Sequence, residues 1–150
     1  MGKRVILTSK APPPIGPYSQ AVEAAGFLFC SGQIPLDPNS GEMVAGGALV
    51  QTRQVLVNLG EVLRAAGSGW KDVLKATVYV TDLADFPKVN AVFGEFFPMD
   101  PPARAVVQVS ALPKGAQVEI DCWALMGKGP RRVGQASSRG RTKKSSRKPK

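Results

Sequence analysis

The sequence predicts an α+β domain, a mixed sheet with two helices packed on one face. Two stretches, near 47–66 and 86–97, repeat apolar residues at helical spacing. The other apolar stretches are short and alternating or strand-like, and they fall before, between and after the helices. The resulting order is β-β-α-β-α-β-β with one further short strand at the N-terminus, an arrangement that packs both helices on one side of the sheet.

Element by element, "RVILTS" (4–9) is a short strand and "APPPIGPYSQ" (11–20) a stiff Pro/Gly loop leading to Tyr18. "AVEAAGFLFCSGQI" (21–34) is a strand pair turning near Ala25-Gly26, and "PLDPNSGEM" (35–43) is a cluster of turn residues. From Gly47 to Ala66, Leu49, Val55, Leu56, Leu59, Val62 and Leu63 form a helical stripe, and Gly67 supplies its stop. "DVLKATVYVTD" (72–82) is a core strand buried through Val73, Ala76, Val78 and Val80. Asp85 reads as an N-cap, with Pro87 in the first turn of a helix 86–97 that carries Phe86, Val89, Phe93, Phe96 and Phe97. Strands 104–110 and 117–126 follow, joined through "LPKG". The second sheet face also reads as apolar, which predicts a homo-oligomer.

The net charge of +9 is unevenly spread. Residues 1–126 hold ten Lys/Arg against eleven Asp/Glu, whereas 127–150 hold ten Lys/Arg and no acid. The expectation is a near-neutral domain over 1–127 and a basic, disordered tail over 128–150. With no secretory signal or membrane-length apolar run, a cytoplasmic protein is expected, and the tail's basic pairs make nuclear import or RNA contact an alternative. Cys30 and Cys122 lie in apolar runs and read as core thiols of a reducing compartment.

The chain has no histidine. That excludes Ser-His-Asp and Cys-His catalysis and His-based metal sites, leaving carboxylate, guanidinium, hydroxyl, backbone and water. Two charges stand out. Arg104 opens the apolar run "ARAVVQV", and Glu119 sits between Val118 and Ile120. A hairpin turning near Leu112-Pro113 would set them nearly opposite each other. Arg104 is then either half of a structural ion pair, with Glu119 its candidate partner, or a fork for a substrate carboxylate. Glu119 is either a water-facing strand residue or a carboxylate that orients or deprotonates a water. Tyr18 is a packing aromatic or a phenol presented to a pocket. Ser31 and Gly32 mark a bulge or a place where a ligand meets backbone N–H groups. Asn90 carries no signal alone.

Together "IGPYSQAV", "SGQIPLDPNSGEMV", "VTDLADFPKVNAVFGEFF" and "PPARAVVQVSALPKGAQVEI" resemble the YjgF/RidA family of reactive-intermediate imine deaminases, from about residue 4 to 127. The resemblance implies a YjgF/chorismate-mutase-like homotrimer with pockets between subunits and no cofactor or metal. It implies hydrolysis of 2-imino acids, such as 2-iminopropanoate and 2-iminobutanoate, to 2-oxo acids and ammonia. By motif, Arg104 would clamp the substrate carboxylate. Glu119 would place the attacking water together with a backbone carbonyl near Val106. Tyr18 would close the pocket, Ser31 and Gly32 would form its wall, and Asn90 would come from across a subunit boundary. Some members carry Cys where this chain has Val106, which argues against an essential thiol. Two rival functions are a ribonuclease or translation inhibitor assisted by the basic tail, and a non-enzymatic binder of small ligands.

Overall fold

The computed structural model describes residues 2–127. The basic tail, its import-like basic pairs and its predicted disorder all lie outside the described residues.

Six strands and two helices form in the expected order: β1 Arg4–Ile6, β2 Ala21–Ala24, β3 Phe27–Gln33, α1 Ala48–Ala65, β4 Val73–Val80, α2 Phe86–Phe96, β5 Ala103–Gln108 and β6 Val118–Leu125. Both helices lie on one face of a single mixed sheet, so the predicted class holds. The β2–β3 hairpin turns on Ala25 and Gly26, both at positive φ. That is the backbone of a two-residue turn whose twist matches the strands, and glycine reaches it without strain.

The sheet order is β1-β2-β3-β6-β4-β5. This corrects one expectation. β5 and β6 do not form a hairpin: β4 lies between them, parallel to β5 and antiparallel to β6. Residues 109–117 are therefore a crossover over the end of β4, anchored where the N–H groups of Val109 and Thr81 donate to the carbonyls of Val80 and Gln117. Sequence adjacency favoured a hairpin. A crossover instead gives β4, the apolar strand, two neighbours.

The main core lies between sheet and helices. Val55, Leu56, Leu59, Val62 and Leu63 of α1 meet Leu28, Ala76, Val78, Val80, Val118, Ile120 and Ala124. Leu49, expected on this stripe, is 43% exposed. Cys30 and Cys122 stand opposite each other across β3–β6 and are buried as free thiols, as expected of core residues. Asp85 occupies the N-cap position of α2 without capping it; Asp82 caps the short turn before it, accepting from the Ala84 N–H. Among the described residues no helix is long and apolar enough to cross a membrane.

The opposite sheet face has no helix to cover it. Phe29 meets Trp123 edge-on at 5.1 Å between ring centroids. Trp123 is nonetheless 54% exposed, and Val5, Phe27, Val107 and Leu125 are exposed as well. A face this apolar is unusual on a free monomer.

Candidate active site

The predicted site residues separate into two groups. Along β4, Arg104 stands beside Ala76 and Glu119 beside Tyr79. These positions differ by three, an odd number, so the two side chains leave the sheet on opposite faces. Three residues along the strand and two strand spacings across add about 10 Å in each direction. Arg104 and Glu119 therefore make no ion pair, and the salt-bridge reading of Arg104 is overturned.

Glu119 belongs to a cavity of about 340 Å³ that also includes Pro12, Pro13, Tyr18, Ser31, Gly32 and Pro113 in its lining. The Glu119 carboxylate lies directly over Gly32, where any Cβ would overlap it. Any side chain here would push the Glu119 carboxylate aside, so glycine is what lets the carboxylate sit there, in a strand with a register shift between Cys30 and Gln33. The Ser31 hydroxyl donates to the Ser19 carbonyl (2.6 Å), tying the cavity wall to the Tyr18 loop. The Tyr18 hydroxyl accepts from the Ile15 N–H (3.2 Å), and its ring stays 45% exposed at the cavity mouth. Among the described residues the Glu119 carboxylate meets no cation and accepts no hydrogen bond. Burial, and secondarily the charge of Asp121, push its pKa above the ordinary carboxylate value. Asp121 itself accepts from the Tyr79 hydroxyl at 3.1 Å.

Arg104 belongs to the helix face. Its Nη2 donates to Asn90 Oδ1 at 2.7 Å, and its guanidinium carbon lies 4.7 Å from the centre of the Phe93 ring. No carboxylate pairs with it among the described residues. Desolvation lowers its pKa, the mark of a cation removed from water without an anion in exchange. Asn90 bonds Arg104 of its own chain, so these two side chains belong to one side of the site. Val106 lies two residues further along β5, beside Val78 and away from the Glu119 cavity.

Sequence reasoning missed the polar residues that hold this frame. Gln20 is buried; its Nε2 reaches the carbonyls of Thr8, Ala11 and Pro12, while its Oε1 accepts from the Thr8 N–H, pinning the proline loop. Asn58 of α1 is buried too and donates to the carbonyls of Ile34 and Leu36. Gln51 accepts from the Gln117 N–H. The signal was present: Gln51 and Asn58 interrupt the apolar stripe at its own spacing, where a polar side chain must find partners.

A family profile described as Endoribonuclease L-PSP matches residues 8–126. The chain belongs to this family, the YjgF/RidA family. A RutC family protein of Pyrococcus horikoshii is 53% identical over 122 residues, covering 81% of this chain and 97% of that protein. The human 2-iminobutanoate/2-iminopropanoate deaminase is 48% identical over 125 residues, covering 83% and 91%. The crystal structure of RidA from an Antarctic Psychrobacter superposes with a TM-score of 0.79 at 43% identity, covering 81% of this chain and 98% of that one. Solved members of this family thus share this chain's fold over nearly all the described residues.

Proposed function

We propose that the chain hydrolyses small 2-imino acids to 2-oxo acids and ammonia. The observation that carries this reading is the pairing of opposites: a partly buried guanidinium and a partly buried carboxylate, neither with a counter-ion among the described residues, in a chain 48% identical to a deaminase of that name. The guanidinium fork of Arg104 matches a substrate carboxylate with two parallel hydrogen bonds. Glu119 holds a water against the imine carbon, which is already electrophilic and needs mainly orientation. The water oxygen bonds to that carbon while one of its protons passes to Glu119. Glu119 returns the proton to the nitrogen of the tetrahedral adduct. The hydroxyl proton then passes to that nitrogen as the C–N bond breaks, releasing ammonia and leaving the 2-oxo acid.

Because Arg104 and Glu119 lie on opposite faces of one sheet, a complete site takes Arg104 from one copy and Glu119 from another. The exposed apolar face around Trp123, Phe27 and Val5 supplies the surface for such an assembly, and a homotrimer closes it with three equivalent sites. Tyr18, Ser31 and Gly32 belong to the Glu119 side of that site; Asn90 and Val106 belong to the Arg104 side.

The test is a coupled assay. An amino-acid oxidase generates the imino acid, semicarbazide traps it, and the chain competes with the trap. Turnover that disappears in Arg104→Ala supports the reading; turnover unchanged in that variant overturns it. Ribonuclease activity is the second reading, favoured by the family description and by the ten basic residues after 126. RNA cleavage that survives in Arg104→Ala and after tail removal would favour it.

A further inference from the structure

Arg104 has an environment that the hydrolysis scheme does not by itself explain. Its guanidinium is enclosed by one stripe of α2. Phe86, Asn90 and Phe93 are spaced by four and three residues, so they share a helix face. Asn90 Oδ1 accepts from Nη2 at 2.7 Å, and the rings of Phe93 and Phe86 have their centres 4.7 Å and 5.7 Å from the guanidinium carbon. All three contacts are attractive to a cation, and all are neutral. The acids near them are engaged elsewhere: Glu95 pairs with Arg53, and Asp85 with Lys88. The helix that orients the guanidinium therefore offers it dipoles and ring faces and withholds carboxylates.

We propose that Phe86, Asn90 and Phe93 form a neutral cradle that aims the Arg104 guanidinium while leaving its charge uncompensated, and so set the preference for substrates bearing a carboxylate. Asn90 is on this account a positioning residue acting through Arg104, not a group that touches the substrate. The proposal rests on the clamp reading of Arg104. Its physical content is that an amide oxygen accepts the same hydrogen bond as a carboxylate oxygen without cancelling the charge. In a partly desolvated setting the uncancelled charge attracts an incoming anion more strongly than it would in open water.

Asn90→Asp keeps the shape and the acceptor and adds the charge. Steady-state kinetics of the full chain on 2-iminobutanoate should show KM raised about tenfold or more, the scale of one close charge pair, with kcat little changed. Calorimetric binding of 2-oxobutanoate, the product, should weaken in parallel. Phe86→Leu, at a partly exposed position, should raise KM about two- to fivefold by removing one ring face; it gives an answer even if Asn90→Asp fails to fold. Unchanged KM and product binding in Asn90→Asp, with Arg104→Ala inactive, would overturn the cradle and leave the clamp standing. A loss confined to kcat would overturn the positioning role by placing Asn90 on the reacting atoms. Full activity in Arg104→Ala would bring down clamp and cradle together.

Discussion

The two halves of the candidate site are built by opposite means. The Arg104 half sits on the helix face, rests against one face of α2, and is held by a hydrogen bond and two rings. The Glu119 half sits on the far side of the sheet, where a glycine leaves room and a tethered loop supplies the walls. One half grips its charged group; the other makes space around it. Each leaves its charge without a counter-ion among the described residues, although pairs such as Arg4–Glu23 and Arg53–Glu95 show that the chain compensates charge elsewhere. Desolvated and unpaired charge costs stability, and both halves accept that cost. On the proposed reading, neither half is complete, and each is prepared for what the other lacks.

Removing the gripped charge should have the largest effect. Arg104→Ala should lower kcat/KM on 2-iminobutanoate by on the order of 100-fold or more, the penalty for truncating one partner of a hydrogen-bonded charge pair with the substrate, with folding intact by circular dichroism. Glu119→Gln should lower kcat by roughly 100-fold while KM changes little, as for loss of a general base. The fold favours protonated Glu119, so its stabilising effect is present at low pH and lost as pH rises through the raised pKa. Glu119→Gln should therefore also raise the melting temperature at neutral pH. A fall there would show that the carboxylate is structural.

Gly32→Ala tests the half that makes space. Its Cβ collides with the Glu119 carboxylate, so kcat should fall about tenfold, the cost of displacing a catalytic group by a fraction of an ångström. Product binding through Arg104 should weaken much less. The smallest effect is on pH. Glu119 acts ionised, so activity falls as pH drops through a pKa held above the usual carboxylate range by burial and then by Asp121. Asp121→Asn removes the lesser cause and should move the acid limb of the kcat–pH profile to lower pH; a limb that stays in place assigns it to another group.

Much of this was legible in the sequence. Helical stripes, alternating strands and turn residues marked every element, because local spacing determines them. The β5–β6 hairpin was wrong because strand pairing depends on which strand needs two neighbours, and that is a property of the whole sheet. The identity of Arg104 and Glu119 as unusual residues was visible from their apolar surroundings. Their separation was not, since it depends on β4 lying between them. Gln20 and Asn58 went unnoticed because a buried polar side chain is defined by the carbonyls it meets, which come from distant loops.

The central claim is that a working site joins Arg104 of one copy to Glu119 of another, and mixing two inactive variants tests it most directly. Arg104→Ala and Glu119→Gln are unfolded together at equal amounts, refolded, and assayed on 2-iminobutanoate beside each variant refolded alone. Random assembly leaves about a quarter of the interfaces with both residues intact, so the mixture should regain up to about that fraction of wild-type activity. A mixture that forms mixed oligomers and stays as inactive as its parents would contradict the account.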